Sequence, residues 1–245
     1  PIALEQCRRA VIRMAGLART NYQLGYEAVM ERDLSKAEEV AVNEETIDKM
    51  EFNISQYLVK LNELGLNGQE RRMSSILLQM VNDLERIGDH CDNLADTAKS
   101  MSSQDIAFTD AAHKEINSMF QAVKETLDMT VDAYTNNDST LARHVEPLED
   151  VVDQFKELLR TRHVERLNQG ECTVENGVSF LEVVTDLERI ADHCLNVAFY
   201  VLEQNDPSLQ DMHSYYYDTE RQQNSDYEEF LTYYKNKYYN NICNA

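Results

Sequence analysis

Apolar residues recur along most of this chain at the three- and four-residue spacing of amphipathic helices. This pattern predicts six long helices, several of which end near a glycine or a proline. A stretch with the composition of a linker, residues 100–109, separates the third helix from the fourth. Glycine and proline are scarce, so the chain is expected to be all-α. The predicted helices span residues 3–32, 35–64, 69–100, 110–136, 139–167 and 175–204, with Ser35 as the N-cap of the second.

The apolar positions of the second and third helices each form one stripe. Because successive residues are rotated by about 100°, Glu85, Asp89 and Asn93 should lie on the solvent-facing side of the third helix. Glu44 and Asp48 flank the stripe of the second helix. If the two helices are antiparallel neighbours, their acidic residues meet along a groove on the bundle surface. The stripes are Ile47, Met50, Ile54, Leu58 and Leu61 in the second helix, and Leu77, Met80, Val81, Leu84, Ile87, Cys91, Leu94 and Ala98 in the third.

The chain contains an internal duplication. Residues 83–95 read DLERIGDHCDNLA and residues 186–198 read DLERIADHCLNVA, with ten of thirteen positions identical at an offset of 103. Upstream of these segments an offset of 105 aligns the two halves, and it places Glu44 on Glu149. Each half therefore repeats the same acidic pattern.

The repeat sets the expected domain organisation, because three long helices joined by short turns form an up-down-up bundle. We expect two tandem three-helix bundles, residues 1–101 and 102–205, followed by a Tyr-rich C-terminal extension, residues 206–245. Helical spacing of apolar residues in this extension predicts a short amphipathic helix that packs back on the bundle. The segment before this helix is expected to be disordered. A helix that docks a partner is the alternative. The residues with this spacing are Tyr227, Phe230, Leu231, Tyr234 and Tyr238.

The charge balance narrows the class of partner. With 23 basic and 44 acidic residues the formal net charge is −21, which disfavours nucleic acid phosphates and direct lipid binding and favours cations or basic partners. Solubility alone is the alternative explanation. Five cysteines without a Cys-x-x-Cys pair indicate a reducing compartment, and Cys91 and Cys194 are expected in the core. No signal peptide is recognisable, and no apolar run approaches the ~20 residues of a membrane span.

Each half carries four carboxylates that would face one another across two helices. Residues four apart on a helix are neighbours, about 5–6 Å between Cβ atoms, and oxygen ligands select hard cations such as Mg²⁺, Ca²⁺, Mn²⁺ or iron. Asn93 and Asn196 continue these ladders by one turn and would add carbonyl oxygens. A solvated acidic face that binds only water is the alternative. The candidate metal ligands are Glu44, Asp48, Glu85 and Asp89 in the first half, and Glu149, Asp153, Glu188 and Asp192 in the second.

The same segments argue against several classes of enzyme. A di-iron carboxylate site needs Glu-x-x-His on two helices, but Gly88 and Ala191 occupy the histidine positions. His90 and His193 are rotated by about 100° from the ladder aspartates, so structural hydrogen bonds to a neighbouring helix are expected of them. No Walker loop, dinucleotide fingerprint or nucleophile–base pair is recognisable. An enzyme is therefore not expected, and a metal-dependent hydrolase is the least favoured function considered.

The segments DLERIGDH and DLERIADH, together with Glu-x-x-x-Asp at residues 44–48 and 149–153, resemble the PhoU family of phosphate-homeostasis regulators. The resemblance covers about residues 3–204. It implies two repeated three-helix bundles, often dimeric, that carry multinuclear metal clusters on their surfaces. Iron or zinc is the metal that the resemblance favours, with manganese, magnesium or calcium as alternatives. Carried over to this chain, the ligands would be Glu44, Asp48, Glu85 and Asp89 for the first cluster, and Glu149, Asp153, Glu188 and Asp192 for the second.

The resemblance also implies a function, which is regulation of phosphate uptake through a transporter and its associated signalling kinase, without catalysis. The expected location is the cytoplasm, at the inner face of the cell membrane. PhoU-like domains also form the cytoplasmic C-terminal part of bacterial sodium/phosphate cotransporters, and the missing initiator Met and the Tyr-rich extension favour this version. The partner would be the membrane domain of a phosphate transporter, in cis or in trans, or the kinase, and a homodimer is compatible with the family. The alternative function is a metal-free helical adaptor whose acidic faces dock basic partner surfaces.

Overall fold

A computed structural model of the chain describes residues 2–209 and 225–243. Within these ranges the chain is helical without strands and forms two helical bundles in tandem, which confirms the predicted fold class. None of the described helices is both long enough and apolar enough to span a bilayer. The first bundle consists of α1 (Ile2–Met30), α2 (Leu34–Glu63) and α3 (Gly68–Ser103), and the second of α4 (Asp110–Asn136), α5 (Ser139–Arg143), α6 (Val145–Gln169) and α7 (Val174–Asn205). The described part of the extension contains a 3₁₀ turn (Pro207–Leu209), α8 (Ser225–Tyr234), a π-helical turn (Lys235–Tyr239) and α9 (Asn240–Cys243).

Side-chain caps and a glycine set the helix ends that the sequence predicted only approximately. The carboxylate of Asp33 accepts a hydrogen bond from the backbone N–H of Ser35 at 3.0 Å, so Asp33 is the N-cap of α2 and the prediction of Ser35 is wrong. At the start of α3, Asn67 and Glu70 form a reciprocal capping box. α6 ends where Gly170 adopts a φ of +71°, a conformation that residues with a Cβ rarely take.

Two predicted boundaries differ from the structure. α3 continues to Ser103, which shortens the linker between the bundles to residues 104–109. The predicted fifth helix is divided after Arg143 into the short α5 and the long α6. Pro147 explains this division, because its nitrogen has no hydrogen to donate to the Arg143 carbonyl and its ring would clash with that carbonyl in a continuous helix.

The core lies around α3 and α7, which pack against each other and against the helices of their own bundles. Every residue of the predicted α3 stripe is buried, as are Ile47, Ile54 and Leu58 of the α2 stripe. Cys91 and Cys194 are buried in this core, as expected. Apolar contacts run from one bundle into the other, so the two bundles share one hydrophobic core.

A buried carboxylate of α3 is satisfied by side chains of α7. Asp83 is 4% exposed, and its oxygens accept hydrogen bonds from the Asn196 amide at 3.0 Å and the Tyr200 hydroxyl at 3.0 Å. His193 Nδ1 lies 2.7 Å from the same carboxylate. All three partners come from the second bundle, so this contact ties the bundles together.

The reciprocal contact joins α7 to α3 and completes a pseudo-twofold arrangement. Asp186 of α7 lies 2.8 Å from His90 Nδ1 and accepts a hydrogen bond from the Asn93 amide at 3.1 Å. The imidazole rings of His90 and His193 stack with their centroids 5.7 Å apart. The prediction that these histidines make structural hydrogen bonds to a neighbouring helix is therefore confirmed.

Helix α8 and the π-helical turn that follows it pack on the second bundle through tyrosines. Tyr227 donates a hydrogen bond to Asp150 of α6, and Tyr238 donates one to Glu125 of α4. Tyr227 and Tyr234 are buried. The predicted amphipathic helix is thus confirmed, whereas the predicted disordered segment before it lies outside the described residues.

Replacing Asp83 with alanine should destabilise the fold, because three side chains of α7 would lose their shared acceptor in a buried contact. Such a loss costs about 3 kcal/mol, to be measured as the free energy of unfolding in urea. Asp96→Ala is the matched control on α3, because Asp96 is exposed and, among the described residues, forms an ion pair only with Lys99 one turn away. Its effect should stay within about 0.5 kcal/mol. Equal losses in the two variants would contradict the role assigned to Asp83.

Candidate metal centre

The first candidate group lies where α2 and α3 run side by side. Glu44 of α2 is buried against Gly88 of α3, and a Cβ atom at position 88 would lie 2.5 Å from Glu44 Oε2. Glycine therefore leaves the room that this carboxylate occupies. Burial, and then repulsion from Asp48, Asp89 and Glu85 among other carboxylates, raises the pKa of Glu44 to about 8. The charges of the four predicted residues of this group therefore interact across the two helices.

The second group lies at the equivalent place between α6 and α7. Glu149, Asp153 and Asp192 each offer one oxygen, and these atoms lie within 4.8 Å of one another. Glu149 is buried and shares a hydrogen bond with Asp192. Burial, and then the charge of Asp153, raises the pKa of Glu149 to about 9. At neutral pH this carboxyl group keeps its proton unless a cation replaces it.

Basic side chains form ion pairs with some carboxylates of the two groups. Glu188 is buried and forms an ion pair with Lys156 at 2.7 Å. Arg86 pairs with Asp89 at 2.9 Å, and the equivalent Arg189 makes the matching pair in the second group. Exposed pairs of this kind are worth only about 0–1 kcal/mol. A cation can therefore displace the two arginines at little cost.

Several buried carboxylate oxygens have no hydrogen-bond partner among the described protein atoms. They are both oxygens of Glu44, one of Asp92 and one of Glu188. Buried polar atoms are normally satisfied, and carboxylate oxygens are the ligands that hard cations prefer. The donor set therefore fits a metal ion, which would supply the missing partner.

Sequence reasoning missed two carboxylates of the first group. Glu51 follows Glu44 by seven residues and Asp92 follows Glu85 by seven, a spacing that returns to the same helix face within about 20°. The charge of Asp92 contributes to the raised pKa of Glu44, and that of Glu51 to the raised pKa of Glu85, in both cases after burial. The seven-residue spacing was the signal that could have identified them.

The two groups differ in charge. At the positions of Glu51 and Asp92, the second half has Lys156 and Leu195. With the four predicted ligands of each group included, these positions carry six carboxylates in the first group. In the second group they carry four carboxylates and one ammonium group. Because carboxylates in one patch repel one another until cations compensate them, the first group has room for more cationic charge.

Asn93 and Asn196 lie at the junction between the bundles, where their amide nitrogens donate to Asp186 and Asp83. Asn93 follows Glu85 by eight residues, which rotates it by about 80° from the ladder face. This rotation explains why both asparagines contact the opposite bundle. The structure places neither of them among the carboxylates of the two groups.

Comparison with known proteins gives the same two-part organisation. The family model described as PhoU domain matches the chain twice, over residues 11–98 and 116–201. The phosphate-specific transport system accessory protein PhoU homolog of Synechocystis sp. is 29% identical over 198 residues, which cover 80% of this chain and 86% of that protein. The corresponding homolog 1 of Thermotoga maritima is 28% identical over 170 residues, which cover 68% of this chain and 71% of that protein.

Solved structures share the fold. PhoU from Pseudomonas aeruginosa superimposes with a TM-score of 0.79 at 23% identity, over 84% of this chain and 98% of that one. The phosphate transport system regulatory protein PhoU from Streptococcus pneumoniae gives a TM-score of 0.75 at 17% identity, over 84% of this chain and 96% of that one. The two family matches cover well over half of the chain, one in each bundle, and the chain therefore belongs to the PhoU family.

Proposed function

We propose that this protein is a metal-binding regulatory module of phosphate transport. The observation that carries the proposal is the pair of carboxylate groups, one in each bundle, with buried oxygens that lack a hydrogen-bond partner among the described protein atoms. Its relatives in Synechocystis sp. and Thermotoga maritima are named as accessory proteins of phosphate-specific transport systems. Shared family membership supports a regulatory role in the same process, and no catalytic step is proposed.

Each group is proposed to hold a multinuclear cluster, with iron or zinc as the favoured metal and manganese, magnesium or calcium as alternatives. A cation would relieve the repulsion between the carboxylates, which lie on two different helices in each bundle. Metal binding would then hold those helices together in the groove. The proposed ligands are Glu44, Asp48, Glu85 and Asp89 in the first group, and Glu149, Asp153, Glu188 and Asp192 in the second.

The proposed partner is the membrane domain of a phosphate transporter, in cis or in trans, or its signalling kinase. The net charge of −21 suits a partner with a basic docking surface, because complementary charges speed association and suppress wrong partners. We also predict that the protein acts at the inner face of the cell membrane, forms a homodimer and is part of a sodium/phosphate cotransporter.

A metal-free helical adaptor is the second candidate function. It is favoured by the ion pairs that Arg86, Arg189 and Lys156 make with carboxylates of the two groups. Basic side chains of a partner could take the place of these residues, and the acidic grooves would then be docking surfaces that need no ion. The amount of bound metal separates the two candidates.

Elemental analysis of protein purified without an affinity tag or chelator should find at least two iron, zinc or manganese ions per bundle. The double variant Asp89→Asn, Asp192→Asn should lose most of this metal, because each substitution removes a charged ligand and lowers affinity at least about ten-fold. Helical circular dichroism should be unchanged, because both side chains lie off the buried stripes.

The matched control for this experiment is the double variant Asp96→Asn, Glu182→Gln. It removes the same charge from exposed positions of the same two helices, and it should retain the metal content of the wild type. Protein that is isolated without metal and binds none after addition of iron, zinc or manganese would contradict the metal proposal and favour the adaptor.

Chelator-treated protein should become less stable as the pH rises. Burial raises the pKa of Glu44 to about 8 and that of Glu149 to about 9, above the ordinary glutamate pKa of 4.5 in the unfolded chain. A carboxyl group whose pKa is raised in the folded state stabilises the protein fully when the pH is below its pKa in the unfolded chain. This stabilisation is lost as the pH rises through its pKa in the folded state. Each carboxyl group should lose a stabilising contribution on the order of 2 kcal/mol between about pH 5 and about pH 9. This loss should be visible as a falling midpoint of thermal unfolding.

The double variant Glu44→Gln, Glu149→Gln should flatten this pH dependence, because glutamine keeps the shape of glutamate and cannot ionise. The wild type saturated with metal should not lose stability over the same range, because the bound cation favours the ionised carboxylates. An unchanged slope in the double glutamine variant would show that other groups cause the pH dependence.

A further inference from the structure

The two bundles bury different side chains near the C-terminal end of α6 and of its counterpart α2. At the offset of 105, Leu58 and Leu61 of α2 match His163 and Arg166 of α6. Leu58 is fully buried and Leu61 packs partly buried against the core. His163 is 2% exposed and Arg166 is 7% exposed. The second bundle therefore buries an imidazole and a guanidinium where the first has two leucines.

A buried carboxylate accompanies these two groups. Glu115 of α4 matches Ala10 of α1 and is 4% exposed. It accepts hydrogen bonds from Arg166 Nη1 at 2.8 Å and from Arg162 Nη1 at 3.2 Å. Well-packed apolar residues are often as stabilising as a buried ion cluster, or more so. The requirements of packing alone therefore do not explain this exchange.

Arg166 is only partly satisfied by this contact. Its Nη2 is buried without a partner among the described protein atoms, and its guanidinium carbon lies 5.2 Å above the centre of the Phe180 ring. Buried guanidinium N–H groups need an acceptor oxygen. Arg166 lines a cleft of about 450 Å³ together with Arg162 and Lys114, and this volume lies in the range of small-molecule sites, about 300–1,000 Å³.

We propose that this cleft binds a small molecule that carries a carboxylate or phosphoryl group. The oxyanion would accept hydrogen bonds from Arg166 Nη2, because guanidinium groups form strong charge-assisted hydrogen bonds with such oxygens. Arg162 and Lys114 add positive charge along the same cleft. Glu115 holds the two arginines in place and prevents them from turning away into solvent.

The rest of the lining indicates what else the ligand should carry. Glu165 and Glu171 are exposed at the cleft, so they favour a ligand that balances its oxyanion with an ammonium or hydroxyl group. Ile242 of α9 contributes an apolar wall. The match to the family model ends at residue 201, so this wall comes from the C-terminal extension. The site therefore depends on features that lie outside the duplicated family pattern.

The binding of inorganic phosphate and of L-glutamate to the full chain tests this proposal, by thermal unfolding and isothermal titration calorimetry with a chelator present. At ten times its dissociation constant, a bound probe should raise the unfolding midpoint by about 3–6 °C. Binding of phosphate would identify a phosphoryl ligand, and binding of glutamate a carboxylate ligand. The double variant Asp89→Asn, Asp192→Asn should bind the probe like the wild type, which separates this site from the metal groups.

A triple variant that restores the first-bundle residues, Glu115→Ala, His163→Leu and Arg166→Leu, should fold with similar stability and lose at least about ten-fold in affinity. If it does not fold, Lys114→Gln at the exposed rim provides the test, with an expected loss of about three- to ten-fold. Lys60→Gln is the control, an exposed lysine on the matching helix α2. The proposal is wrong if neither probe binds the wild type, or if the rim and triple variants bind as tightly as the wild type.

Discussion

Each bundle of this protein buries a carboxylate whose hydrogen-bond donors come from the other bundle. Asp83 of α3 is satisfied by side chains of α7, and Asp186 of α7 by side chains of α3. A buried carboxylate without donors is costly, so each bundle depends on the other to cover the polar face of its central helix. The hydrophobic core then continues across the junction, and the remaining helices pack around this central pair.

The grooves between these central helices and α2 or α6 place other carboxylates in the opposite situation. In the grooves, Glu44 and Glu149 of α2 and α6 are buried beside further acidic residues. Both oxygens of Glu44 lack donors among the described residues, and burial raises the pKa of both glutamates. Acidic residues of one repeated motif therefore serve two purposes. Those at the junction stabilise the fold as hydrogen-bond acceptors, whereas those in the grooves form groups that a proton or a cation stabilises.

The two halves have kept the junction and diverged around it. Lys156 stands in the second groove where the first has Glu51, which lowers the negative charge of that groove. At the far end of the second bundle, His163 and Arg166 replace two leucines, and the C-terminal extension packs on the same bundle. None of these exchanges touches the contacts of Asp83 or Asp186, so the duplicated fold accommodates them. The second bundle thereby gains a buried guanidinium beside a cleft, where the first bundle has a leucine.

The helical periodicity and the repeat were sufficient to predict the tandem bundles and the acidic pattern that each half repeats, because helix rotation and duplication are properties of the chain itself. The seven-residue spacing that adds Glu51 and Asp92 was equally readable. The sequence alone determined which residues share a helix face. Only the tertiary structure decided that Asn93 faces the other bundle, that Lys156 pairs with a groove carboxylate and that Glu44 is buried. The physical reason is that donors and desolvation come from helices distant in sequence, and these determine whether a buried carboxylate gains hydrogen-bond donors or has a raised pKa.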